Sequence, residues 1–123
     1  MANEISVTLQ VRCTNGVFRQ DFPSRTFNLT QSVARGAIFT QVIGSGAEEN
    51  VSFTDFTAGL VIIWNMDATN YVEFGKSDGG TMKEIMKCLP QGPPQVFYLA
   101  SGETLRGLAN TADCAVQIYA WSV

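Results

Sequence analysis

The stretch NMDATNYVEFGKSDGGTMKEI, Asn65 to Ile85, decides the fold of this chain because it reads as strand, turn and strand. Its first part, Asn70 to Phe74, is short and rich in residues that favour β-strands. Lys76 to Gly80 consists of turn-forming residues, and a second strand is predicted from Gly80 to Lys87. A hairpin this tight predicts a protein built from β-structure.

The N-terminal segment carries a second hairpin signal. Residues 4–12 alternate between apolar and polar side chains, as in a strand with one buried face. Asn15–Gly16 is the dipeptide most typical of a two-residue hairpin turn, so a returning strand is predicted over residues 17–22. Pro23–Ser24 breaks this run, and alternation resumes at residues 26–30.

The later strands are predicted at short, regular spacing. Residues 36–43 favour a strand by their β-branched and aromatic content, with a short helix as the alternative. The consecutive apolar residues 60–64 predict a central strand covered on both faces, or one whose outer face is covered by a partner. Three more strands are predicted at residues 95–100, 104–109 and 113–123. Inward-pointing anchors before the central strand are expected at Val51, Phe53 and Phe56.

Closely spaced strands without a convincing amphipathic helix indicate a sandwich or a barrel. We predict an all-β fold, an antiparallel, jelly-roll-like β-sandwich of about eight to ten short strands. We expect a single domain over residues 1–123, because a chain of 123 residues buries one core but not two.

Composition argues against several classes of partner. The formal net charge of −3, with the basic residues scattered along the chain, argues against nucleic-acid binding. The longest apolar run, Leu60 to Trp64, is too short to cross a membrane. Met1 to Glu4 lacks the basic start of a signal peptide, so we expect the protein to be made in a cytoplasm.

The absence of histidine narrows the possible chemistry. Without it the chain cannot form Ser-His-Asp or Cys-His arrangements, nor metal sites based on histidine. Cys13, Cys88 and Cys114 lack CxxC spacing and are expected to be free thiols.

Acidic residues offer the nearest approach to an active site. A glycosidase needs two carboxylates facing each other across a cleft, and a calcium site needs ordered oxygen ligands. Neither pattern is evident, and we expect solvated carboxylates at Asp67, Glu73, Asp78 and Glu84. Gly75–Lys76–Ser77 looks like part of a phosphate loop, but no helix follows it. We therefore predict no enzymatic activity, no catalytic residue, no metal site and no cofactor.

Large aromatic residues are the best candidates for an interface. Tyr98 follows Phe97 on one strand, so the two side chains point to opposite faces. Tyr119 and Trp121 share the face opposite Val116, and they point to a partner if Val116 lies in the core. The predicted interface residues are Trp64, Tyr98, Tyr119 and Trp121.

Two segments are expected to be flexible in the free protein. They are residues 1–3 and the loop at residues 44–50, GSGAEEN. In an assembly, we expect one of them to contact an adjacent subunit.

From Leu60 onward the chain resembles a group of small virion proteins of tailed bacteriophages and prophages. In that group an Asn-Leu-Asp-like segment precedes Asn-Tyr-(Val/Ile)-Glu-(hydrophobic)-Gly, followed by a Gly-Thr strand, a Leu-Lys-Pro-Gly-Glu-like turn, a (Leu/Phe)-x-Leu-x-x-Gly segment and Ala-(Asn/Asp)-Thr-Ala. The matching segments here are Asn65–Asp67, Asn70–Gly75, Gly80–Thr81, Leu89–Gly92, Phe97–Gly102 and Ala109–Ala112. The turn at Gln91–Pro94 departs from the group, since it is richer in proline and lacks the usual charged residue.

This resemblance implies a function as a capsid cement or decoration protein on the virion surface. The implied partners are the major capsid protein and further copies of the chain, in a dimer or trimer, with no nucleic acid or membrane. The alternatives are a tail or connector component, or a carbohydrate-binding module that stacks Trp64, Tyr71 or Trp121 on sugar rings.

Overall fold

The computed structural model describes residues 3–53 and 57–123, which contain ten strands and no helix. The all-β prediction is confirmed. The chain divides into two compact units, one comprising Met1–Ala34 with Val123 and the other Arg35–Ser122. The sandwich therefore occupies Arg35–Ser122, and the expectation of a single domain over the whole chain stays a prediction. Phe56 lies outside the described residues.

The first unit is an antiparallel hairpin of β1 (Ile5–Asn15) and β2 (Phe18–Leu29). These strands are long, contrary to the expected short ones. The turn lies at Gly16–Val17, one residue later than predicted, because the positive φ of 60° falls on Gly16 and Asn15 still pairs with Phe18. Pro23–Ser24 does not end the strand but lies where the register shifts, since a bulge accommodates the missing proline donor.

The second unit is a sandwich of two four-stranded sheets, with strand orders β3-β10-β5-β8 and β4-β9-β6-β7. This order is that of a jelly roll, as predicted. All described pairings are antiparallel. The strands are β3 (Gly36–Ile43), β4 (Glu49–Asn50), β5 (Leu60–Asn65), β6 (Val72–Asp78), β7 (Thr81–Cys88), β8 (Gln95–Tyr98), β9 (Leu105–Ala109) and β10 (Cys114–Trp121).

The two sheets enclose one apolar core. Residues 36–43 form a strand and not a helix, and β5 lies between β10 and β8 as its continuous apolar sequence predicts. Val51 is buried and Phe53 packs against the core, where its ring meets that of Phe39 edge to face, so these two predicted anchors do point inward. The largest fully buried side chains include Phe74, Ile43, Ile63 and Ile118.

The segment that follows β5 is held by local polar contacts. The buried Asn65 donates from Nδ2 to the carbonyl oxygens of Asn70 at 2.8 Å and Cys88 at 3.1 Å. Its Oδ1 accepts from the Asp67 amide at 2.9 Å. Asp67 then accepts from the amides of Thr69 at 2.9 Å and Asn70 at 2.6 Å, which closes an Asx turn before β6.

The β6–β7 hairpin has the predicted order of strand, turn and strand, but its turn is shorter than predicted, because Lys76–Asp78 belong to β6. Gly79 and Gly80 form the two-residue turn, both with positive φ as a type I′ turn requires. Gly75 lies in β6 at a register shift, where a Cβ would come within 1.8 Å of the Lys83 carbonyl oxygen. The Gly-Lys-Ser triplet therefore belongs to a strand and not to a phosphate loop.

The loop at residues 44–50 makes several contacts within the sandwich, although flexibility was expected. Its Glu48 bonds to Arg106 at 3.0 Å and accepts from the Met82 amide at 2.8 Å. The Ser45 amide donates to Asp113 at 3.0 Å. The expectation that this loop contacts an adjacent subunit stays a prediction.

Candidate interaction surface on the outer face of the sandwich

Alternation along β10 separates the core from the outer side of its sheet. Val116 and Ile118 are fully buried in the core. Gln117, Tyr119 and Trp121 point the other way, because successive residues of a strand face opposite sides. The sequence placed Tyr119 and Trp121 on the outer side on the condition that Val116 lies in the core. Val116 does lie in the core.

Strand register arranges the outward side chains in rows across the sheet. Tyr119 lies directly between Ile38 of β3 and Ile62 of β5, and Ile62 pairs in turn with Val96 of β8. A second row runs through Trp121, which pairs with Leu60 and Gly36. It ends at Tyr98, the partner of Leu60. A third row contains Thr40, Gln117 and Trp64.

These residues define what we call the outer face. It comprises Gly36, Ile38, Thr40, Val42, Ile62, Trp64, Val96, Tyr98, Ala115, Gln117, Tyr119 and Trp121, with Leu60 in register with them but itself buried. None of them carries a charge, although a solvated sheet face is ordinarily polar. Strand spacing of nearly 5 Å across four strands gives a patch roughly 20 Å on a side, or about 400 Å². A patch of this size is comparable to the largest apolar patch of a typical monomer, which is often functional.

The four aromatic side chains on this face differ in exposure and in packing. Trp64 is 39% exposed and Tyr98 is 53% exposed. Tyr119 and Trp121 are half-buried and stacked, with ring centroids 6.4 Å apart and an interplanar angle of 17°. Stacking restrains the two rings against each other within the sheet.

All four aromatic residues singled out from the sequence lie on this one face. Their role as an interface stays a prediction. Sequence reasoning missed Ile38, Val42 and Val96, which are also well exposed there. The available signal was that β3 has apolar residues at both phases of its alternation, whereas a half-buried strand has them at one.

An apolar cleft lies beside the outer face. Tyr98, which belongs to the outer face, also lines this cleft. Its volume is about 390 Å³, and its walls include Ile85, Met86, Phe97 and Leu99. Phe97 points toward the core, opposite to Tyr98, as the sequence predicted. The cleft is an apolar recess at the margin of the outer face.

Metal ligands and reactive thiols are two further kinds of site to consider among the described residues. The described residues hold no cluster of three or more potential metal ligands. All three cysteines are free, as expected, and burial raises the pKa of Cys88 to about 12. The pKa of Cys114 is also raised, chiefly by burial. Both buried thiols are therefore protonated and unreactive at neutral pH.

The carboxylate of Asp67 is the acidic group most clearly shifted. Hydrogen bonds from the backbone amides of Asn70 and Thr69 lower its pKa below the ordinary value of 3.8. A lowered pKa keeps the carboxylate ionised and suits the Asx turn, whereas a general acid needs a raised one. Asp67 therefore acts on local structure.

Comparisons with known proteins identify no relative of this chain. No family model, curated protein or solved structure matches the chain. The described ranges include no helix with the length and apolar character needed to cross a bilayer. The fold and the surface thus define a class, a jelly-roll β-sandwich with an uncharged, aromatic outer face.

Proposed function

We propose that this protein is a structural component of a tailed-phage virion, which binds the capsid shell and stabilises it as a cement or decoration protein. The observation that carries the proposal is the outer face, which is uncharged and largely apolar across four strands. The resemblance of residues from Leu60 onward to small phage virion proteins supplies the biological setting.

The physical argument starts from the chemistry of this face. Aromatic residues at the centre of an interface contribute most of its binding energy, and charged residues are depleted there. Tyr119, Trp121, Trp64 and Tyr98 supply such anchors on a rigid sheet. The proposed partner is the major capsid protein, whose surface in the assembled shell would cover these side chains.

A patch of about 400 Å² is small for a lasting one-to-one complex, which commonly buries about 800 Å² on each partner. A symmetric oligomer of this chain, a dimer or trimer, would engage several capsid subunits at once. Linked sites raise the overall affinity without new contacts at each site. The proposed location is accordingly the outer surface of the capsid, reached after synthesis in the host cytoplasm.

The test is mass spectrometry of purified particles with an estimate of copy number. A cement protein occurs in hundreds of copies, in proportion to the capsid protein. A handful of copies per particle would support the tail or connector alternative instead. Absence from particles would overturn the proposal.

A carbohydrate-binding module is the second candidate, and the exposed ring of Trp64 is the observation that favours it. Flat aromatic surfaces also stack on sugar rings. A glycan array separates the two functions, because a cement protein shows no binding. Saturable glycan binding that is lost in Trp64→Ala would favour the module.

A further inference from the structure

The β1–β2 hairpin has one apolar and one polar face. Cross-strand pairs on the polar face include Thr8–Thr26, whose hydroxyls are 2.9 Å apart, and Arg12–Asp21. Alternation places the opposite set together on the other side, which we call the apolar hairpin face. It comprises Ile5, Val7, Leu9, Val11, Cys13, Phe18, Phe22, Phe27 and Leu29, together with the polar or charged residues Asn15, Gln20 and Arg25.

Much of this face is open to water. Leu9, Val11, Phe18, Phe22 and Phe27 are each between 40% and 54% exposed. A two-stranded hairpin is at best marginally stable in water unless a further layer covers its apolar face. Strands of 11 and 12 residues therefore need a cover along most of their length.

We propose that the apolar hairpin face packs against the same face of a second copy of this chain, with a two-fold axis running along the hairpin. Such an axis places β1 of one copy over β2 of the other. The result is a small two-layer sandwich made of two hairpins, with each layer covering the other.

The distribution of side-chain sizes selects this arrangement. Aliphatic residues of the face lie mainly on β1 and its phenylalanines lie on β2. Within one hairpin Val11 pairs with Phe22, and Val7 pairs with Phe27. With β1 over β2, Val11 meets Phe22 of the second copy and Val7 meets its Phe27. These two contacts each join a small and a large side chain, which favours an even separation of the two sheets near 10 Å.

The area available reaches the lower limit for a specific dimer interface. Phenylalanine side chains bury about 150–250 Å² each when fully covered, so the half-exposed side chains supply roughly 500 Å² per hairpin. Two facing hairpins would then bury about 1,000 Å² in total, the lower limit for a specific interface.

Charge does not oppose the pairing. Arg25 is the one charged residue in register with the face, where it pairs with Leu9. Its aliphatic stem can cover Leu9 of the second copy while the guanidinium reaches water at the rim. The apolar hairpin face belongs to the first unit and the outer face to the sandwich, so the inference does not depend on the shell-binding proposal.

Sedimentation of the full chain at several concentrations tests the inference, with Val11→Asp as the disrupting variant. Val11→Asp puts a charge at the centre of the interface, so we expect a loss of dimer of at least 100-fold in affinity, the effect of about 3 kcal/mol. Thr14→Asp is the matched control, since it adds the same charge on the polar face of the same strand. It should sediment like the wild type.

If Val11→Asp unfolds the hairpin, two measurements on the wild-type chain still test the inference. Cys13 is the exposed thiol, and Cys88 and Cys114 are buried, so native-state labelling reports Cys13. Its labelling rate should rise on dilution. Isotope-filtered NMR of mixed labelled and unlabelled protein should show contacts from Val11 methyls to Phe22 rings of the other copy.

A wild-type chain that is monomeric with dilution-independent Cys13 labelling would overturn the inference. So would a dimer that Val11→Asp leaves intact. If Cys13 becomes protected only on capsid shells, the second-copy inference fails while the shell-binding proposal gains support. Conversely, a hairpin dimer absent from particles would leave the inference standing and reject the proposed function.

Discussion

Asn65 donates a hydrogen bond to the main-chain carbonyl oxygen of Cys88 at 3.1 Å, joining the end of β5 to the end of β7. The same amide also serves the Asn70 carbonyl at 2.8 Å. One buried side chain thus ties the two sheets of the sandwich together, since β5 and β7 belong to different sheets.

Replacing Asn65 by leucine should lower the free energy of unfolding by about 2–4 kcal/mol, because buried carbonyls lose their donor. Thr69→Ala is the control, since its hydroxyl makes only two exposed bonds, donating to Asp67 at 3.4 Å and accepting from Asn70 Nδ2 at 3.2 Å. It should change stability by less than about 0.5 kcal/mol. Urea unfolding measures both. Equal midpoints would show that Asn65 does not join the sheets.

Asp67 predicts how stability depends on pH. Its pKa is lowered in the folded state by the amides of Asn70 and Thr69. The stabilisation is therefore present above the unfolded-state pKa and is lost as pH falls through the folded value. Asp67→Asn cannot titrate, so its stability deficit relative to wild type should shrink below about pH 4. Denaturant midpoints measured from neutral pH down to pH 2–3 check this, and a constant deficit would contradict it.

Gly75 is required by the close approach of β7. A Cβ at this position would lie 1.8 Å from the Lys83 carbonyl oxygen, and the neighbouring backbone would have to move. We expect Gly75→Ala to destabilise the sandwich by more than about 3 kcal/mol. Gly46→Ala is the control, because a Cβ there meets nothing within 4 Å. Thermal unfolding compares them, and similar melting temperatures would rule out the steric argument.

Two ion pairs on the sandwich should differ in strength. Glu48 and Arg106 are 3.0 Å apart with side chains about one-fifth exposed, whereas Lys76 and Glu103 are 3.8 Å apart and about half exposed. Glu48→Gln should cost about 1–3 kcal/mol, since it leaves Arg106 partly buried without its counter-charge. Glu103→Gln should cost less than about 0.5 kcal/mol. Chemical denaturation measures the stability lost in each variant. Equal losses would indicate that burial does not make one ion pair stronger than the other.

Charge placed on the outer face should weaken shell binding without unfolding the sandwich. Thr40 lies in the row of Gln117 and Trp64, so Thr40→Asp puts a carboxylate into an uncharged interface. We expect at least a tenfold loss of affinity for shells that lack the protein, equivalent to about 1.4 kcal/mol. Thr81→Asp is the matched control, at an exposed position on the opposite sheet. Co-sedimentation with shells compares the two variants. Equal binding would show that the outer face is not the surface that binds the shell.

The sequence predicted local structure best where one residue type is required by geometry. Gly79–Gly80 fixes a hairpin turn because both positions have positive φ. Prediction was weaker at Pro23–Ser24, where a bulge let β2 continue. The pattern of residues cannot tell a bulge from a strand end, because pairing with β1 decides between them.

By itself, the sequence determined the all-β class, the alternation of β10 and the central position of β5, since these follow from the period of side-chain direction along a strand. The tertiary structure alone decided that Trp64, Tyr98, Tyr119 and Trp121 share one face with Ile38 and Val96. Sharing a face depends on strand order and register between segments far apart in the chain. Those pairings are set by how the two sheets pack around their common core.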